Sequence, residues 1–379
     1  MKIKSPSTLV LTAGDIEKIV AEVGIDELMD KLVEQMTDAF LDYDASRTEI
    51  PIRSGFNYKE PSLGLVEWMP IYDKDNNDVV VKLVGYHPDN PKKYKLPTIL
   101  STISCYDTLT GHLKGIMDGV FLTALRTGAA SAVASKVFSH PHSKVLGLIG
   151  CGAQAVTQLH AISRIFPIEK VLYYDIDAST SHSFADRIQM LDLQIELVPA
   201  SIEVITAQSD IITTATSLDV GAGPLFTYGT TKPHLHINAI GSDFPGKTEL
   251  PKELLKNAFV CPDFLDQAVK EGECQQLSVE DIGEEFFTCI QHPEKYSGLR
   301  DQLTVFDSTG LPLEDSVVMK LFLNYAEAMN LGKRLFIERI SEDAKSPYEF
   351  IKEPALELKS IDQEIALMRD KRSRRTTGE

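Results

Sequence analysis

Long apolar runs are missing from this 379-residue chain. No uninterrupted stretch approaches the roughly 18 to 20 apolar residues that span a bilayer. The opening MKIKSPSTLVLTAGD has neither the apolar core nor the cleavage site of a signal peptide. A protein that stays off membranes and in the cytoplasm is expected. Cysteine is scarce: Cys105, Cys151, Cys261, Cys274 and Cys289 are odd in number and widely scattered, with no CxxC pair. That argues against a disulfide framework, a zinc site or a redox motif, so free thiols and no bound metal are expected. Positive charge is in deficit, 38 Lys and Arg against 55 Asp and Glu, for a net charge of -17 and a pI near 5.0. Such a molecule repels phosphate backbones and anionic lipid, which excludes nucleic acid as an expected partner. Repeats and low-complexity segments are also missing. What is there, 43% hydrophobic, 25% charged and 8% aromatic residues, is the composition of a folded globular protein.

The chain changes texture twice. From about residue 10 to 45 apolar residues recur near the helical period (Ile16, Ile19, Val20, Leu28, Leu32, Met36, Phe40, Leu41), which predicts two helices broken near Gly24, with Asp15 as a cap. Residues 50 to 120 carry short extended runs, Leu63 to Met69, Val79 to Gly85, Thr98 to Tyr106 and His112 to Met117, between Asp, Asn, Gly and Pro clusters. These predict an antiparallel or mixed sheet. Asp118 precedes an alanine-rich helix, GVFLTALRTGAASAVASKVF, that should pack closely against something. From Lys144 strands alternate with helices, the pattern of a doubly wound parallel sheet. After Gly310 a helix is expected over Ser316 to Glu338, and the tail ends in a basic run, KRSRRTTGE, read as a solvated end. The expected class is α/β, a Rossmann domain over residues 138–312 beside an α+β domain of residues 1–137 completed by 313–379.

Gly150-Cys151-Gly152-Ala153-Gln154-Ala155 follows the strand Val145 to Ile149 and opens a helix. This is GxGxxA in its required setting: Gly150 permits the tight turn, Gly152 lets a pyrophosphate approach the backbone, and Ala155 keeps helix and strand close. The helix start offers N–H groups and a positive dipole end. Asp175 ends the next strand, KVLYYD, where a carboxylate can take the adenosine ribose diol. No Arg or Lys follows in Ile176-Asp177-Ala178-Ser179-Thr180, so a 2′-phosphate would meet uncompensated negative charge. NAD is expected rather than NADP.

Arg53, Glu67, Lys82 and Arg126 sit in otherwise apolar stretches, EIPIRSGF, GLVEWMP, VVVKLVGYHPDN and LTALRTGAASAVASK. If buried, three cations and a carboxylate need partners. A structural salt bridge would satisfy any one of them, and an amino-acid substrate would supply both signs.

These residues also carry a likeness. Glu67-Trp68-Met69-Pro70, Lys82 with His87-Pro88-Asp89-Asn90, Leu122-Thr123-Ala124-Leu125-Arg126-Thr127 and Gly150-Cys151-Gly152-Ala153-Gln154 match in turn. So do the run from Asn238 through Asp243-Phe244-Pro245-Gly246-Lys247 to Leu250, and Glu271-Gly272-Glu273-Cys274-Gln275-Gln276-Leu277. On them the chain resembles the ornithine cyclodeaminase and mu-crystallin family along almost its full length. That family includes cyclodeaminases, ketimine reductases, alanine dehydrogenases and opine-type synthases, and this chain looks most like the ornithine cyclodeaminase branch.

The resemblance implies roles. Arg53, Lys82 and Arg126 would clamp the substrate α-carboxylate. Asp243 would meet the distal amine and handle protons, with Glu67 as a second acid-base group. Asp243, before Pro245, could instead cap a helix. Thr127, Gly150, Gly152, Ala153, Gln154 and Asp175 would hold NAD. His87 is given no catalytic role. The implied reaction converts L-ornithine to L-proline and ammonia, by a homodimer joined through its substrate domains. The rivals are lysine cyclodeamination, ketimine reduction, amino-acid dehydrogenation and ligand binding of the mu-crystallin kind.

Overall fold

The computed structural model describes residues 7–341 and 343–348. Thr8–Leu335 form one compact unit, and Met1–Ser7 with Phe336–Glu379 form a second, whose described residues carry neither helix nor strand. The basic run at 371–379 and the rest of the expected C-terminal completion from 349 onward lie outside the described residues.

Within the large unit the first helices are Ala13–Val23 and Ile25–Leu41. They break at Gly24, whose φ of 87° is easily reached only without a Cβ. The cap of the first is Thr12 rather than Asp15. Thr12 accepts from the Asp15 N–H while the Asp15 carboxylate takes the Thr12 N–H, a reciprocal capping box. The expected sheet follows with strands β1 (Thr8–Leu11), β2 (Thr48–Glu49), β3 (Ser54–Tyr58), β4 (Gly64–Asp73), β5 (Asp78–Tyr86), β6 (Ile99–Asp107) and β7 (Leu113–Asp118). Apart from the parallel β1 and β7 pair, its neighbours are antiparallel.

The second sheet is parallel throughout: β8 (Val145–Ile149), β9 (Lys170–Tyr174), β10 (Glu196–Pro199), β11 (Ile211–Thr214), β12 (His236–Ala239), β13 (Phe259–Pro262) and β14 (Thr304–Asp307), in the order β10-β9-β8-β11-β12-β14-β13. The chain reverses its direction of winding between β8 and β11, the place where open parallel sheets bind ligands beyond their strand ends. Both faces are covered. Leu146, Leu148, Ile211 and Phe306 enter one apolar core, while Ile149, Ile212, Ile237 and Val305 enter the other. This is the period-two division expected of a doubly wound sheet.

The alanine-rich helix, Val120–Phe138, is buried along most of its length and shares the first core with both sheets. It crosses the helix Ala153–Ile165 closely: a Cβ on Gly128 would lie 2.5 Å from the Thr157 carbonyl oxygen. The last helix among the described residues runs from Pro312 to Ala328, not Ser316 to Glu338. Pro312 at its first turn fits the helix start. Asn330 and Gly332, both at positive φ, turn the chain into β15 (Lys333–Leu335), which pairs with β1.

Candidate active site

The dinucleotide turn is built as its glycines require. Gly150 has φ 94°, and a Cβ there would lie 2.6 Å from the Ala215 carbonyl oxygen. Gly152 is the opposite case: a Cβ would meet nothing within 4 Å, so the backbone is open to a bulky group. The helix Ala153–Ile165 starts there without a side-chain cap, leaving its first N–H groups to an external acceptor. Ala155 is fully buried. Asp175 accepts hydrogen bonds from the N–H of Cys151 (2.7 Å) and of Asp177 (2.8 Å). Each carboxylate oxygen retains a lone pair for a ribose hydroxyl. The Gln154 side-chain oxygen accepts from the Thr157 hydroxyl (3.3 Å). Thr127 turns its hydroxyl onto its own helix, to the Thr123 carbonyl (2.8 Å), and its carbonyl accepts from Gln158 (3.2 Å) at the helix crossing. The set fits a dinucleotide.

The ionic residues of the mixed sheet follow from strand alternation. Glu67, Met69 and Ile71 of β4 share a face, as do Val80, Lys82 and Val84 of β5, and Met69 lies opposite Lys82 in the ladder. Period two therefore sends Glu67 and Lys82 inward together. Lys82 is 1% exposed, and its Nζ lies 2.7 Å from Asp315. Burial, reinforced by the nearby Arg126 guanidinium, pushes the Lys82 ammonium down to about 8. Arg126 pairs with Glu314 and stands 3.3 Å from Asp315. The Gly310 backbone fits against it, since a Cβ at that left-handed position would approach the guanidinium to 3.0 Å. Arg53 Nε lies 2.7 Å from Glu271, and its Nη1 lies 3.8 Å from Glu67. Its remaining nitrogen donates to the carbonyl of Thr309.

Lys82 donates a directed hydrogen bond to Asp315 Oδ1 at 2.9 Å and Arg126 Nη1 donates one to Glu314, but the two arginine Nε contacts are ion pairs without that alignment. The Nε groups of Arg53 and Arg126 are buried and have no properly aligned acceptor, and Glu271 Oε1, Glu314 Oε1 and Asp315 Oδ2 have no aligned donor. Misaligned buried donors are costly, and a carboxylate ligand would give them an acceptor. Burial also raises Glu67 above the usual carboxylate range, against Arg53 and with the help of Asp243. It takes Glu271 to about 7, with Arg53 opposing and Glu67 and Asp243 adding to the rise. Asp243 thus shares a neighbourhood with Glu67, Glu271 and Arg53.

Asp243 lies beyond the C-terminal end of β12, pairs with Lys247 at 3.0 Å and keeps 39% of its side chain exposed. It caps no helix, because the helix that follows begins at Lys252. Its loop is anchored by buried carboxylates. Glu249 accepts from the N–H of Gly241 (3.0 Å) and of Thr216 (2.7 Å), and Glu273 accepts from the N–H of Glu249 (2.6 Å). On the next strands Asp263 holds Gly310 N–H at 2.7 Å. Burial, then the neighbouring Asp307 carboxylate, pushes Asp263 up to about 7.

The structure brings Arg53, Glu67, Lys82, Arg126 and Asp243 into one neighbourhood, and Gly150, Gly152, Ala153, Gln154 and Asp175 into another. Both draw on the strand ends of the parallel sheet. The sequence reading did not single out Glu271, Glu314 and Asp315 as partners. Glu314 and Asp315 sit in the first turn of a helix, where acids ordinarily serve the helix dipole. The signal that could have found them is charge balance, since three buried cations demand buried carboxylates.

The profile of the family described as "Ornithine cyclodeaminase/mu-crystallin family" matches residues 15–330. The L-lysine cyclodeaminase of Streptomyces rapamycinicus is 40% identical over 342 residues, covering 90% of this chain and 99% of that protein. A solved structure described as the basis for recognition of L-lysine, L-ornithine and L-2,4-diamino butyric acid by lysine cyclodeaminase is 45% identical. It superposes with a TM-score of 0.87 over 90% of this chain and 99% of its own. An archaeal alanine dehydrogenase dimer with bound NAD is 30% identical, with a TM-score of 0.74 over 87% of this chain and 99% of its own. Matched from near its first helix to just past the helix that ends at Ala328, and paired with relatives over nearly their whole length, the chain belongs to the ornithine cyclodeaminase/mu-crystallin family.

Proposed function

We propose that this protein is an NAD-dependent cyclodeaminase of L-α,ω-diamino acids, forming a cyclic imino acid and ammonia. The observation that carries the reading is the convergence of three buried cations with the carboxylates Glu67 and Asp243. A diamino acid matches that arrangement at both ends, with one carboxylate for the cations and a distal ammonium for the acids. L-ornithine is the substrate expected from the sequence. The higher identity to a lysine cyclodeaminase supports a reading with L-lysine first and L-ornithine second.

NAD, when bound, supplies a hydride acceptor for the α-carbon and returns the hydride after ring closure, so there is no net redox change. It would be held by Gly150, Gly152, Ala153, Gln154 and Asp175, with Thr127 alongside. The protein's own groups do the rest. Arg53, Lys82 and Arg126 grip the α-carboxylate in fixed orientation. Asp243 receives the distal ammonium and takes a proton from it, which frees the nitrogen lone pair to act as the nucleophile. Glu67, held above the usual carboxylate range by burial, donates a proton to the departing α-nitrogen. The distal amine bonds to the α-carbon as the bond to the α-nitrogen breaks and ammonia leaves.

In this reading residues 1–137 with 313–379 hold the substrate, and residues 138–312 hold the dinucleotide. The outer face of the mixed sheet supports a homodimer. Leu83 is 47% exposed, Leu100 40% and Phe56 68%, an apolar surface suited to a second copy. Incubation with L-lysine or L-ornithine and catalytic NAD, following ammonia and cyclic product together, tests the proposal.

A further inference from the structure

Arg187 lies in the short helix Phe184–Ile188. Its Nη2 donates to the carbonyl of Cys151 (2.5 Å) and of Thr180 (2.9 Å), and its Nη1 to the carbonyl of Gly152 (3.3 Å). Its Nε donates to the Ser183 hydroxyl (3.3 Å), and the guanidinium lies 5.6 Å from the Phe184 ring centroid. All these acceptors are neutral oxygens, so the geometry directs a half-buried positive charge at the glycine-rich turn.

Two consecutive carbonyls held on one side have a consequence for the N–H groups. A trans peptide points its C=O and N–H in opposite directions. With the carbonyls of Cys151 and Gly152 facing Arg187, the N–H groups of Gly152 and Ala153 face away from it. Those are the donors that a pyrophosphate takes at a glycine-rich helix start. Asp175 fixes the same turn from its other peptide group by accepting the Cys151 N–H at 2.7 Å. Cys151 is therefore held at both its N–H and its C=O by side chains of opposite charge.

We propose that Arg187 is a positioning residue for the dinucleotide pyrophosphate, an inference that rests on the NAD reading above. It orients the turn before the cofactor arrives and places a positive charge behind the peptide groups that bind the phosphates. Its contribution therefore appears in cofactor affinity and not in the chemistry at the α-carbon.

The test is NAD and ADP-ribose binding by titration calorimetry to the full chain and to Arg187→Met, which keeps the aliphatic body over Phe184 and removes every donor. ADP-ribose carries the pyrophosphate without the nicotinamide. The expected result is a Kd for both ligands raised about 10- to 100-fold, with kcat at saturating NAD little changed, a Tm lowered by a few degrees in a protein still folded at the assay temperature, and partial recovery of Kd in Arg187→Lys. A Kd within two-fold of the parent in a folded variant overturns the inference. If Arg187→Met does not fold, Arg187→Lys serves alone: a weakened Kd in a protein folded at the assay temperature supports the inference, and an unchanged Kd overturns it. Failure of the parent to bind NAD at all would remove the cofactor reading, and this inference with it.

Discussion

Arg53 and Glu271 form a buried ion pair with Nε and Oε1 2.7 Å apart, yet the N–H is not aligned on the oxygen. The pair is held by charge, and in the proposed reading a substrate carboxylate would compete for the same guanidinium. Once Arg53 turns to the substrate, Glu271 loses the charge that lowers its proton affinity. Glu271 already stands at about 7 without substrate, so its affinity rises further and it takes up a proton. At pH 7.5 the binding of L-lysine should therefore draw up to about one proton per site from the buffer. The uptake fades toward pH 5, where Glu271 is protonated beforehand. Calorimetry in buffers of different ionisation enthalpy measures it, and Glu271→Gln should abolish it. Proton release on binding would contradict the assignment.

Asp243→Asn preserves shape and removes the proton acceptor. Turnover should fall by about two orders of magnitude or more, with NAD affinity and Tm nearly unchanged. Near-normal turnover in the folded variant would reduce Asp243 to a partner of Lys247.

Asp175→Ala should weaken NAD binding by roughly 1.5 to 3 kcal/mol, through the ribose contact and through release of the Cys151 N–H. Substrate affinity at saturating NAD should change far less. Unchanged NAD affinity, or tighter binding of NADP by the parent, would refute the cofactor assignment.

Sedimentation at micromolar concentration should show a dimer, and Leu83→Glu with Leu100→Glu should shift it toward monomer by placing charge on the outer sheet face. A monomeric parent protein would remove the dimer from the account.

Much of this was legible because it obeys local rules. The Gly150 turn, the parallel strands and the break at Gly24 each follow from backbone geometry written in a few adjacent residues. Caps and ends were less legible: Asp15 reads as a cap until Thr12 is seen to share the box, and the helix expected over Ser316 to Glu338 runs instead from Pro312 to Ala328. The partners of the cations were hidden for a different reason. Glu271 and Asp315 are far in sequence from Arg53 and Lys82, and only the folded chain sets them 2.7 Å apart. Arg187 is similar, an arginine in a helix whose guanidinium reaches back to the carbonyl of Cys151.

The central claim is that one bound dinucleotide serves both halves of a cyclodeamination, and the most direct measurement is a product balance. Purified protein with catalytic NAD is given L-lysine, L-ornithine or L-alanine, and ammonia, NADH and cyclic imino acid are followed together. The account predicts six-membered L-pipecolate from lysine and L-proline from ornithine, each in equal amount with ammonia and without steady accumulation of NADH. Alanine should give no product. NADH formed in step with a keto acid from alanine, and no cyclic product from either diamino acid, would contradict it and make the protein an amino-acid dehydrogenase.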